Sequence, residues 1–67
     1  MILVGLMETV DELTPKTLST AMQRLALELP GLLNTHGINV EYVDIDIRIA
    51  EQKSGKYNII MEVVSNE

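Results

Sequence analysis

Residues 38–64 read INVEYVDIDIRIAEQKSGKYNIIMEVV, and two runs within this stretch place an apolar residue at every second position. Successive strand side chains point to opposite faces, so alternation of this kind, interrupted by polar turn residues, predicts a β-hairpin with one face buried and one wet. Val43, Ile45, Ile47 and Ile49 share one face of the first strand, while Asp44, Asp46 and Arg48 share the other. Glu51-Gln52-Lys53-Ser54-Gly55 supplies the turn. In the second strand Tyr57, Ile59, Met61 and Val63 form the matching row, and Lys56, Asn58 and Glu62 lie mostly opposite. A lone two-stranded ribbon is marginal in water, so this hairpin requires a surface to pack on.

The first strand carries an irregularity. Ile38 and Val40 are apolar at even positions, yet from Val43 onward the apolar residues are odd. A parity switch moves side chains to the other face, which predicts a β-bulge near Glu41 to Val43 or a crossing between packing layers. Either outcome makes a long, bent strand able to reach a neighbouring subunit.

Upstream lies a helix with a readable start. Thr14 before Pro15 fits N-cap then N1, where proline's missing N–H costs nothing and its fixed φ suits the first turn. Leu18, Ala21, Met22, Leu25, Leu29 and Leu32 then recur at steps of three and four, while Lys16, Ser19, Thr20, Gln23 and Glu28 occupy the wet side. Pro30 predicts an end or kink near residue 29, with Leu32 and Leu33 in at most one more turn. Asn34-Thr35-His36-Gly37 reads as the loop into the hairpin. The opening run Met1-Ile-Leu-Val-Gly-Leu-Met7 is apolar, but it lacks the positive flank and the length of a signal peptide or membrane span. It reads as a short buried strand with Gly5 as a bend or point of close approach, and residues 8–13 read as a loop packed by Val10 and Leu13. The expected fold is therefore α+β, a β-α-β-β chain whose three-stranded antiparallel sheet carries one amphipathic helix on one face, with residues 1–67 as a single domain.

At 67 residues a domain buries only about 60% of its unfolded surface. Small domains offset this with disulfides, metals or oligomerisation. Cysteine is absent and His36 is the only histidine, which removes disulfides, thiolate sites and clusters of imidazoles. Homo-oligomerisation remains. Ile60 and Val64, which interrupt the polar face of the last strand, mark the expected interface. Ten acidic residues against five basic ones give a net charge of −5, and Tyr42 and Tyr57 are the only aromatics. Nucleic-acid binding needs basic side chains for phosphates and often rings for base stacking, so it is not expected. A cytoplasmic location without membrane attachment is the expectation.

Little in the chain suggests reaction chemistry. Asp44 and Asp46 project from one strand face about 7 Å apart, and such carboxylates can hold Ca²⁺ or Mg²⁺ or act as an acid–base pair. The same spacing also describes the solvated face of an alternating strand paired with Arg48, Lys53 or Lys56, and that reading is preferred. His36 has no partner motif and reads as a loop residue without a catalytic role. Met22 and Met61 fall at core positions, and Gly5 alone makes no phosphate loop. No enzymatic activity is expected.

The element order, the helix opening Thr14-Pro15-Lys-Thr-Leu-Ser-Thr-Ala21-Met-Gln23 and the strand Lys56-Tyr57-Asn58-Ile-Ile-Met-Glu-Val63 resemble the dodecins over residues 14–63. Dodecins are small flavin-binding proteins in which one helix packs on a three-stranded antiparallel sheet and twelve subunits form a hollow shell. The resemblance implies that fold, that style of assembly, and a ligand site at Asn39 and Asn58. Asn39 stands where the flavin-stacking tryptophan is placed and Asn58 where a flavin-binding glutamine is placed, and several extra residues precede the helix. Loss of the tryptophan removes the main stacking surface, so the resemblance speaks for fold and assembly more than for flavin. Two function classes follow. One is a non-enzymatic homo-oligomeric binding or scaffold protein. The other is a dimeric interaction or regulatory module, of the kind found among small phage or accessory proteins, that docks a protein partner through its sheet or apolar patch.

Overall fold

A computed structural model describes residues 1–67, in the order β1 (Ile2–Val10), α1 (Pro15–Thr35), a 3₁₀ turn (Val40–Tyr42), β2 (Val43–Glu51) and β3 (Tyr57–Ser65). The three strands form one antiparallel sheet in the order β1-β3-β2, with α1 against one face. This is the α+β fold expected from the sequence. β3 takes the middle place, where neighbours flank it on both sides, and its apolar residues on both faces suit that place. Ile59, Met61 and Val63 face the helix and are buried, while Ile60 and Val64 face away and are half-buried. β2 alternates between apolar and charged residues, a pattern suited to an edge.

The helix begins as its sequence predicts. The Thr14 hydroxyl accepts a hydrogen bond from the Thr17 N–H at 3.1 Å, and the Thr14 N–H donates to the Thr17 hydroxyl at 2.9 Å. Two amide groups at the helix start are thereby satisfied reciprocally. The other end departs from expectation. Of the expected end or kink near residue 29, the end is ruled out, because α1 runs through Pro30 and Gly31 to Thr35. Proline removes one bond in the helical ladder, but Ala26, whose carbonyl loses its partner, and Pro30 are both exposed, so water can take the vacant acceptor. Continuing the helix also buries Leu33, which is 8% exposed, and that burial offsets the lost bond. Gly37, at φ 64°, then closes the helix. Its N–H donates to the Asn34 carbonyl and the Ile38 N–H donates to the Leu33 carbonyl, the paired bonds of a Schellman motif. Asn34 and Thr35 thus belong to the helix, and His36 is its exposed C-cap.

Two further expectations are corrected. The parity switch before Val43 is neither a bulge nor a layer crossing. The 3₁₀ turn at Val40–Tyr42 rotates the chain, with the Asn39 side chain accepting from the Glu41 N–H at 3.0 Å, so β2 starts at Val43 and spans 9 residues with no long bent extension. β1 is also longer than expected and takes in Glu8, Thr9 and Val10. Its irregularity lies between Ile2 and Val4, not at Gly5. Strand pairing to Tyr57 and Asn58 carries β1 through the polar residues that local sequence alone reads as loop.

Ala21, Leu25, Ile59 and Met61 make the centre of the core, with Leu6, Val10, Leu18 and Leu29 packed around them. No helix is long and apolar enough to cross a membrane. Because Ile59 is 0% exposed, Ile59→Ala is expected to lower unfolding free energy by about 3 kcal/mol. Pro30→Ala is expected to raise it by about 1–3 kcal/mol, because it restores the bond to Ala26 within a continuous helix. Urea denaturation at one fixed protein concentration measures both. A neutral or destabilising Pro30→Ala would contradict the uninterrupted helix.

Candidate binding surface

The helix lies over β1 and β3 and leaves β2 largely uncovered. Residues paired directly across an antiparallel sheet point to the same side, so the pairs Ile45 with Val63, Ile47 with Met61 and Ile49 with Ile59 put all three isoleucines on the helix side. Yet Ile45, Ile47 and Ile49 remain 40%, 42% and 44% exposed, whereas their β3 partners are buried. Between this row and α1 runs an open groove of about 590 Å³, walled by Leu18, Met22 and Ala26 and floored by Ile47 and Met61. Met22 was expected in the core and is instead half-exposed on the rim of this groove.

On the opposite side of the sheet the charged residues gather. Asp46 stands directly across from Glu62, and Glu62 accepts a hydrogen bond from Arg48 Nε at 2.8 Å. Arg48 is thus spoken for within the chain, and neither Asp44 nor Asp46 has a basic partner within ion-pair distance. Lys56 pairs with Asp11 at 3.5 Å, and Arg24 pairs with Glu8 at 3.5 Å. Exposed pairs of this sort contribute about 0–1 kcal/mol. No group of three or more acidic, histidine or cysteine side chains converges to hold a metal ion. Ile60 and Val64 lie on this same open face, half-buried, with Met7 and Arg48 beside the first and Ile2 and Asp44 beside the second.

Asn39 and Asn58 are not brought together within one chain. Asn39 precedes β2 at the end of the sheet where Val43 meets Ser65, and Asn58 lies at the far end of β3 opposite Ala50. Asn58 and Ser65 are seven residue steps apart along β3, about 23 Å. Each side chain is also engaged locally. Asn39 caps the 3₁₀ turn, and the Asn58 side-chain oxygen accepts from the Thr9 hydroxyl at 2.9 Å and from Gln52 Nε2 at 2.7 Å. A second hollow of about 450 Å³ opens at the β1 to α1 connection, lined by Thr9, Glu12, Thr17, Thr20 and Arg24 among others.

No family model, curated protein or solved structure matches the chain. What the surface can do therefore rests on its own geometry. The isoleucine row and its groove offer apolar area and a free strand edge, which suit association or an apolar ligand. Sequence reasoning identified the row but assigned it to the core. The missed signal was dimensional: a helix is about 10 Å across and strands are spaced about 4.8 Å apart, so one helix covers two strands of three.

With Asp44 and Asp46 exposed and unpartnered within the chain, Asp44→Asn with Asp46→Asn is expected to change the stability of the single-chain fold by less than about 1 kcal/mol, any effect on self-association aside. Millimolar Ca²⁺ or Mg²⁺ is expected to leave the melting temperature of the unmodified chain unchanged. A rise in melting temperature that the double substitution abolishes would establish a cation site instead.

Proposed function

We propose that the chain is a non-enzymatic, homo-oligomeric scaffold or small-ligand-binding protein of dodecin-like architecture. The exposed row Ile45, Ile47 and Ile49 carries the proposal. Three isoleucines left about two-fifths exposed on the core side of a sheet forgo about 1 kcal/mol each. A chain with six buried residues in 67 has little stability in reserve to forgo.

The dimensions of the monomer support the same reading. A compact protein of 7.5 kDa exposes about 4,250 Å², and this chain exposes 4707 Å². Its radius of gyration is 12.7 Å, against about 11 Å for a compact domain of this length. Both departures describe a fold with one side left open. Covering β2 closes it.

The reading as a module that docks a different protein draws on the free edge of β2, since strand addition to an exposed edge is a general mode of peptide recognition. It differs in what purified protein does alone. Flavin is the ligand that the dodecin resemblance implies, and Asn39 and Asn58 are the residues it implies for the site. Without a stacking ring at Asn39, and with both amides engaged locally, riboflavin is expected to bind weakly and its fluorescence to change little on titration. Strong quenching would instead establish a flavin site.

If the folded unit is an assembly, its melting temperature depends on protomer concentration. A hundredfold dilution in calorimetry or circular dichroism is therefore expected to lower the melting temperature by several degrees. A melting temperature independent of concentration would favour the module that waits for another partner.

A further inference from the structure

β2 presents more than an apolar row; its free edge is written to match itself. Across β2 and β3 the bonds from the Gln52 N–H to the Lys56 carbonyl and from the Asn66 N–H to the Tyr42 carbonyl fix which residues bond inward. Both fall in the register that pairs Ile47 with Met61, and both involve even residues of β2's side of the hairpin. Antiparallel ladders alternate, so the even residues of β2 bond to β3 and the odd ones turn their N–H and C=O groups to the open edge. Val43, Ile45, Ile47, Ile49 and Glu51 thus offer backbone hydrogen bonds and, in the isoleucines, apolar side chains on the helix side.

We infer that two copies of the chain join through β2 in antiparallel register centred on Ile47, merging their sheets into one. This inference rests on the homo-oligomeric reading above and names its contact. Centred on Ile47, the sequence Val43-Asp-Ile-Asp-Ile-Arg-Ile-Ala-Glu51 is complementary to itself. Ile47 meets Ile47 and Ile45 meets Ile49, so the isoleucines of both copies form one apolar floor. On the other face Asp46 meets Arg48 of the second copy, twice by symmetry. Arg48 then lies between Glu62 of its own chain and Asp46 of the other, and Asp46 gains the basic partner that its own chain does not provide. Every pair opposed in this register is either apolar, oppositely charged, or without like charge.

Charge separates the neighbouring registers unequally. Keeping odd residues bonded to odd residues while sliding the strands one step sets Arg48 against Arg48 with no attractive charge pair, and one step the other way sets Asp46 against Asp46 while opposing Asp44 to Arg48 twice; like charges directly opposed are destabilising. β1, the other edge, exposes Ile2, Leu3 and Met7, but its helix-side residues Leu6 and Val10 already pack against the core. The two-fold axis stands perpendicular to the sheet, so both helices lie on one side. Between them the two grooves beside Met22 become a single trough floored by isoleucine.

The absence of cysteine makes the register directly testable. Bonded antiparallel partners have Cα atoms about 5.5 Å apart, within disulfide reach. Ile47→Cys is therefore expected to form a covalent dimer on mild oxidation. Ile45→Cys and Ile49→Cys are each expected to remain uncrosslinked alone, with like positions about 14 Å apart, but to crosslink when mixed. A second arm uses charge. Asp46→Arg places the introduced arginine across from Glu62 in its own chain, which keeps the fold, but against Arg48 of the other copy, and self-association is expected to weaken by about tenfold or more. Arg48→Asp chains likewise repel one another, whereas an equimolar mixture of the two variants restores both attractive pairs and is expected to give heterodimers. If the chain self-associates but Ile47→Cys does not crosslink and the charge variants do not discriminate, association uses another surface and this contact is wrong while the oligomeric reading stands. If the unmodified chain is a folded monomer, both fall, and the β2 edge is left to a different protein.

Discussion

One helix cannot roof three strands. α1 is a single cylinder about 10 Å wide, and the sheet beneath it spans two inter-strand spacings of about 4.8 Å plus the side chains at either edge. Placed over β1 and β3, it buries Ile59, Met61 and Val63 and leaves β2 with its isoleucines part-exposed. The rest of the molecule follows from that mismatch. The core centre is small, the surface is larger than the mass requires, and the open side coincides with an unpaired strand edge. In larger α+β domains a second helix fills the gap. Within residues 1–67 no second helix lies there.

For the dimer proposed above the energetic balance is close. Six isoleucines across two copies contribute about 6 kcal/mol if fully buried. Lost translational and rotational freedom on association costs about 4–15 kcal/mol. Apolar burial alone is therefore marginal, and the edge hydrogen bonds with the Asp46 to Arg48 contacts decide the outcome. Exposed long apolar edges are ordinarily blunted by lysine, proline or a bulge because they invite indiscriminate pairing. β2 contains none of these. Its charged residues, on the other face, instead oppose like charges in some registers, a device by which a pairing strand restricts its partner geometry.

Much of the fold was legible because its signals are local. Period-2 alternation gave the faces of β2 and β3, and Thr14-Pro15 gave the helix start. The misreadings arose where tertiary burial overrides local rules. Pro30 is a helix breaker by local chemistry, yet the burial of Leu33 and a solvent-facing gap at Ala26 let the helix continue. Glu8 and Thr9 look like loop until β3 lies alongside. The switch from Val40 to Val43 required a turn, and Asn39, placed to cap it, was the signal for a 3₁₀ turn in preference to a bulge. Ile60 and Val64, expected at an interface, lie on the open face of the central strand β3, half-buried beside the exposed Met7 and Ile2. The row Ile45, Ile47 and Ile49, which alternation alone places inside, is also uncovered. Which strand a helix fails to cover depends on strand order, and order is not written in any single segment.

The central claim is that the fold is completed by association. Its most direct test is the solution mass of the unmodified chain at micromolar concentration, measured by multi-angle light scattering on protein whose circular dichroism shows it folded. The account predicts a defined multiple of 7.5 kDa with no folded species at the single-chain mass. A well-folded protein of 7.5 kDa at that concentration would contradict it.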